Sequence, residues 1–206
     1  MNDEYQKDLA SIRSMMERSV KFMSLSGLSG VLAGGYALVG AYLAYLIMYY
    51  PSAPVGYEKL SIANHPSQIT RLAFIAFVIL AASLVTGFFL SWLKAKRIRQ
   101  SLWNETSRLL LVDLIITLGT GGLFVLILFI RGYYSLLAPC LLIFYGLALI
   151  HCSRHTFAEI KYLGFIEIML GLISSFYPEY GLVTWTIGFG LMHIIYGAVM
   201  YFRHER

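Results

Sequence analysis

The chain has 206 residues, 58% of them hydrophobic and only 13% charged, with a formal charge of +5. A water-soluble domain carries about a quarter charged residues, so this composition excludes an ordinary soluble domain and makes lipid the solvent for much of the surface. The basic excess does not point to nucleic acid, because the basic residues sit in short runs flanking apolar spans, where membrane topology alone requires them.

Residues 1–22 read as an amphipathic helix, a cytoplasmic or interfacial segment distinct from the domain over 23–206. Leu9, Ile12, Met16 and Met23 fall near helical spacing, and Asp3/Lys7 and Glu17/Lys21 are opposite charges four apart. Such a helix lies in the membrane interface or docks a partner or a second copy of the chain. The charged start lacks a cleavage-type signal, and the segment is expected to be retained.

Six apolar spans follow, near 24–50, 70–93, 108–130, 134–152, 161–177 and 181–202. Most have the length of about 17–25 residues needed to cross hydrocarbon. The expected fold is all-α, a polytopic bundle of six transmembrane helices. The third and fourth spans are separated only by Arg131, Gly132, Tyr133 and Tyr134, which makes them antiparallel neighbours, and Pro178 ends the short fifth span. Pro139 lies near the start of the fourth, where a helix tolerates it best.

Orientation follows from counting Lys and Arg. With the N-terminus inside, the cytoplasmic side holds Lys7, Arg13, Arg18, Lys21, Lys94, Lys96, Arg97, Arg99, Arg108, Arg154, Lys161, Arg203 and Arg206. Only Lys59, Arg71 and Arg131 face out, so both termini are expected in the cytoplasm. Tyr49, Tyr50, Tyr57, Tyr133, Tyr134, Tyr177 and Tyr180 then form an outer aromatic belt, with Trp92, Trp103, Tyr162 and Tyr201 as the inner one. The connection from Pro51 to Thr70 is an external loop. The glycosylation-type sequence Asn104-Glu105-Thr106 falls on the cytoplasmic side and carries no meaning there.

The six spans read as three antiparallel hairpins, because FYGLALIHCSRH at 144–155 and IYGAVMYFRHER at 195–206 share a Tyr-Gly step before a basic end. Ser26, Gly30 and Gly34 in the first span let a neighbouring backbone approach closely, placing that helix centrally in the bundle or at a dimer interface. Gly164, Gly171, Gly188, Gly190 and Gly197 point to close packing between the fifth and sixth helices.

Ionisable groups inside a span cost on the order of 2.5–3.5 kcal/mol for Asp at a helix centre, so Asp113, Glu167 and His193 ask for a reason. At 1.5 Å per residue from the nearest cytoplasmic charge they lie about 7, 9 and 15 Å deep, and Tyr145 and Tyr196 reach similar depth. Two readings stand. Each group is an interhelical hydrogen-bond clip, with Asp113 and Glu167 close enough to the boundary to pair with Arg108 or Lys161. Alternatively, all five residues line one polar cluster, open to the cytoplasm, that exchanges a proton or binds a small cation.

His151 and His155 share a helix face and are weak candidates for a metal, since two ligands are too few. A haem between helices wants histidines at matching depth, whereas His151 and His193 differ by about 14 Å. Cys140 and Cys152 would lie about 18 Å apart on one helix, beyond disulfide reach. No nucleophile elbow, Walker loop or dinucleotide fingerprint occurs in a suitable context, and Gly119-Thr120-Gly121-Gly122 reads as packing. No cofactor and no catalytic residue is expected.

The placement of Gly164, Glu167, Gly171, Pro178, Gly188, Tyr196 and Gly197 over the last hundred residues is similar to the hairpin units of small bacterial inner-membrane proteins of the HdeD-like acid-resistance family. The resemblance implies three hairpins, a bacterial inner membrane and a stress-related role without transferable catalytic residues. The long first external loop and the N-terminal helix depart from that pattern. The sequence therefore leads to a non-enzymatic accessory or assembly protein, whose partners are the bilayer and a second copy held through glycine-rich helices. The alternative is a small proton- or cation-coupled transporter or channel using Asp113, Glu167 and His193.

Overall fold

A computed structural model describes residues 26–49, 66–97, 103 and 105–205, together with Tyr5, Gln6 and Asp8. Apart from those three helical residues, the amphipathic segment over 1–22 lies outside the described residues. So do the external loop through residue 65 and Asn104 of the sequon. All regular structure among the described residues is helical.

The helices are α1 (Gly27–Tyr49), α2 (Pro66–Arg97), α3 (Glu105–Ile130), α4 (Leu137–Cys152), α5 (Glu159–Phe176) and α6, which runs from Gly181 to His204 in three parts. Their starts and stops follow end chemistry. Pro66 opens α2, where its missing N–H costs nothing, and Lys94, Lys96 and Arg97 close it against the negative end of the helix dipole. α3 ends in a Schellman turn: Tyr133 N–H donates to the Leu128 carbonyl over 2.9 Å and Gly132 N–H to that of Phe129 over 3.1 Å. Gly132 takes φ +80° there, which glycine adopts without strain. A 3-10 turn over Tyr134–Leu136 then leads into α4, and another over Pro178–Tyr180 leads into α6.

Among the described residues five segments are long and apolar enough to cross a membrane: Gly27–Met48, Ser67–Arg97, Glu105–Ile130, Tyr134–Cys152 and Pro178–His204. α5 differs, with Glu159, Lys161 and Glu167 among its 18 residues.

Within the bundle α1 lies between α2 and α6, and α4 lies between α3 and α5. The first part of α6 packs on α4 and α5, and its later parts pack on α1. The most extensive pairing joins α4 to α5, across the boundary where a tandem of hairpins would place its second and third units. α2 and α3 flank the assembly and display rows of apolar side chains, among them Phe74, Phe77, Leu84 and Phe88 on α2 and Ile115, Leu123 and Ile127 on α3. Such surfaces are stable against hydrocarbon and costly against water.

Glycines set the close contacts, though not between the helices expected. Gly164 faces Gly146 of α4, where an added Cβ would meet the Gly146 carbonyl oxygen at 2.7 Å, and Gly171 faces Pro139 and Ile143 of the same helix. Gly197 and Gly190 face α1 instead: a Cβ on Gly30 would sit 3.2 Å from the Gly197 Cα, and one on Gly34 would sit 2.6 Å from the Gly190 carbonyl. Of these three α6 glycines, Gly188 is the one turned toward α5. The expected α5–α6 glycine seam is thus replaced by two seams, α4–α5 and α1–α6. Lipid supplies no hydrophobic drive between helices, so close backbone packing takes its place. Gly27, Gly30 and Gly34 of α1 are accordingly taken up inside the chain, against α6.

Candidate functional site

The costly residues divide into two places. Glu167 points from the buried seam of α5 and is fully buried, with neither carboxylate oxygen in a hydrogen bond. Its Oε2 lodges against the Cα of Gly188, so that a Cβ there would collide with it and would meet Leu142 Cδ2 at 2.7 Å. The glycine makes the space, and the apolar Leu142 lies beside it.

The local course of α6 produces this arrangement. Gly181–Trp185 is α-helical, Thr186–Met192 is a π-helix, and His193–His204 returns to α. A π-turn widens the helix by one residue and is frequent at functional positions. Here it sets His193 to bond its own helix, with Nδ1 lying 3.0 Å from the Gly188 carbonyl oxygen. A carbonyl only accepts, so Nδ1 carries the hydrogen. In the neutral ring Nε2 is then an acceptor, and the Tyr145 hydroxyl donates to it over 2.7 Å. His193 also stacks on Phe189, with ring centroids 5.8 Å apart, and Tyr145 meets the same ring at a tilt, its centroid 5.0 Å away. Glu167 Oε1 is 3.5 Å from His193 Nδ1, within ion-pair range but off the N–H direction, which is spent on Gly188.

Asp113 does not join them. Its Oδ2 lies 3.3 Å from Nε2 of His155, and the aspartate side chain is 36% exposed. The anticipated single cluster is therefore corrected to a buried trio of Glu167, His193 and Tyr145 and a separate, half-exposed Asp113–His155 pair. The expected pairings of Asp113 with Arg108 and of Glu167 with Lys161 are likewise replaced. Lys161 lies over the Phe165 ring, 5.8 Å from its centroid. Tyr196, one turn beyond His193, is in electrostatic reach of Tyr145 and of Glu159, but the hydrogen bond to His193 comes from Tyr145. His151 bonds Thr117 Oγ1 over 3.1 Å, while His155 takes Asp113. The two weak metal candidates thus turn to different partners. Among the described residues no group of three or more His, Cys, Asp or Glu side chains is placed to hold a metal.

A third set of polar contacts closes the end of the bundle where α2 and α6 stop. Glu205 accepts from the backbone N–H of Gly27 over 2.6 Å and pairs with Lys94 Nζ at 2.9 Å. Glu159 pairs with Arg203 at 2.9 Å and with His204 at 3.4 Å. Burial works against ionisation of Glu159, but its own backbone N–H, His204 and Arg203 outweigh it and hold the carboxyl below its ordinary range. Neither acid stood out in the sequence, because each lies at a helix end where charge is expected.

The described residues, all-helical in their regular structure and with five helices long and apolar enough for a bilayer, have the build of a polytopic membrane protein. Comparison with protein-family models, with curated proteins and with solved structures finds no match for this chain.

Proposed function

We propose that this is a bacterial inner-membrane protein with six spans and both ends cytoplasmic, acting as a non-enzymatic accessory or assembly component. α5 is the sixth span in this reading: its 18 residues cover about 27 Å, close to a hydrocarbon core of about 30 Å. The bias of Lys and Arg supports the orientation. So does the meeting of Gly27 at the start of α1 with Glu205 just past the end of α6, since an even number of crossings returns the chain to one side.

The observation that carries the accessory role is the separation of the two acids. Glu167 sits against Gly188 beside Leu142, and Asp113, which would have to pass a proton or ion to it, is engaged with His155 elsewhere. A second copy of the chain would have to use faces other than Gly30 and Gly34, which α6 already occupies. The kinship to the HdeD-like proteins is compatible with this role and adds no residue to it.

The unpartnered Glu167 carboxylate favours a second reading, a small proton- or cation-coupled carrier or channel. Flux across reconstituted liposomes separates the two. The accessory reading expects wild-type vesicles to move protons and alkali cations no faster than empty ones. Flux that is present in the wild type and lost in Glu167→Gln would replace it with the carrier.

A further inference from the structure

We infer that Glu167 and His193 together form a binding site for one proton inside the bundle, neutral overall, with Tyr145 as its third member. The inference stands on the geometry of the trio and holds whether or not any solute crosses the membrane.

Glu167 is fully buried and neither of its oxygens has a hydrogen-bond partner. An ionised carboxylate in such surroundings, with nothing to compensate it, is prohibitively costly. The groups that face it are few. From α4 comes Tyr145, with Leu142 apolar beside it; from α6 come His193 and the glycine backbone at 188, with Tyr196 beyond Tyr145. On α5 itself the nearest ionisable groups are Tyr162, Lys161 and Glu159, about 7–12 Å along the axis. Glu159 is committed to Arg203 and His204 at the helix end. Among the described residues no fixed cation thus lies against Glu167, and His193 is the group able to balance it.

Two arrangements keep the pair neutral with the same single proton. In the first Glu167 is a carboxylic acid and His193 a neutral ring, its Nδ1–H on the Gly188 carbonyl and its Nε2 accepting from Tyr145. In the second Glu167 is a carboxylate and His193 an imidazolium, with Nδ1–H turned to Glu167 and Nε2–H donated to the Tyr145 oxygen. The distances from Nδ1 to the two competing acceptors are 3.0 and 3.5 Å, so a shift of about half an ångström between α5 and α6 exchanges them. The π-turn supplies the carbonyl that competes with the carboxylate. Where the proton resides, on the carboxyl or on the ring, is in this way tied to how α5 and α6 pack.

The test is a pH titration of the full chain in lipid nanodiscs, read by infrared difference spectroscopy of the carboxyl band and by nitrogen NMR of the histidine rings. Loss of the proton should change the Glu167 and His193 signals at one common midpoint. Glu167→Gln should remove the carboxyl signal and leave His193 neutral across the range, while Asp113→Asn leaves both signals in place. Tyr145→Phe keeps the ring packing and serves if Glu167→Gln fails to fold; it should move the common midpoint by about one pH unit, on the order of tenfold in proton affinity. The proposal is overturned if the two residues titrate independently, if Tyr145→Phe leaves the midpoint unmoved, or if Glu167 is ionised beside a neutral His193 at neutral pH. Flux across liposomes leaves this outcome untouched, so the two readings fail separately.

Discussion

The backbone N–H of Gly27 donates to Oε1 of Glu205 over 2.6 Å, joining residues 178 apart in the chain. The acceptor sits at the first turn of α1, where N–H groups are unpaired and the helix dipole favours a negative charge. Lys94 at the end of α2 balances it. One side chain therefore ties three helices at one end of the bundle.

Glu205→Ala should lower stability by about 1–2 kcal/mol, the scale of a lost helix cap. Glu205→Gln, which keeps an acceptor and loses the charge, should cost less. Unfolding in mild detergent, with the two variants side by side, measures both. Equal losses would mean that the hydrogen bond to Gly27 contributes nothing.

Gly188→Ala places a methyl group against Glu167 and Leu142. Overpacking of this kind costs about 1–3 kcal/mol, and the same measurement reads it. Gly35 and Gly119 have open space where a Cβ would go. Alanine at either should be neutral or slightly stabilising, since glycine weakens a helix interior.

The helices were legible because hydrocarbon sets the length of an apolar span: they begin and end within a few residues of where hydropathy alone puts them, and five of the described segments are long and apolar enough to cross a membrane. Which helix faces which was not legible. Gly164 and Gly197 announce close packing by their type, but nothing in their spacing says that one meets Gly146 and the other α1. Depth along the axis likewise put Asp113 near Glu167, whereas the direction around the axis, which separates them, depends on how α3 and α5 both pack on α4. The π-turn at Thr186–Met192 has no compositional signal, and it decides where the ring of His193 points.

Asp113→Asn should change stability by no more than about 0.5 kcal/mol, because the pair with His155 is half-exposed and such pairs contribute little. A loss comparable to that of Glu167→Gln would show that the two acids share a structural unit after all.

Glu159 gives the acid limb of stability a definite sign. Its carboxyl is held below the ordinary value of 4.5 in the folded chain, so its contribution is fully present above the unfolded value. It fades as the pH falls from there through the lower, folded value. Glu159→Gln should flatten that part of the curve and lower stability above pH 6 by an amount that does not vary with pH. Thermal midpoints followed from pH 6 down to pH 3 would show it, and parallel curves for wild type and variant would count against the pairing with Arg203 and His204.

The α1–α6 seam also has a bearing on how the chain is made. α1 is the first of these helices to leave the ribosome, and the glycine face that it buries waits for Gly190 and Gly197, more than 150 residues later. Through most of synthesis the most closely packed surface of α1 is without its native neighbour, exposed to lipid or to whatever factor shelters it. The earliest-made of these helices is thus among the last of them to be completed, and the packing of α1 awaits the arrival of α6.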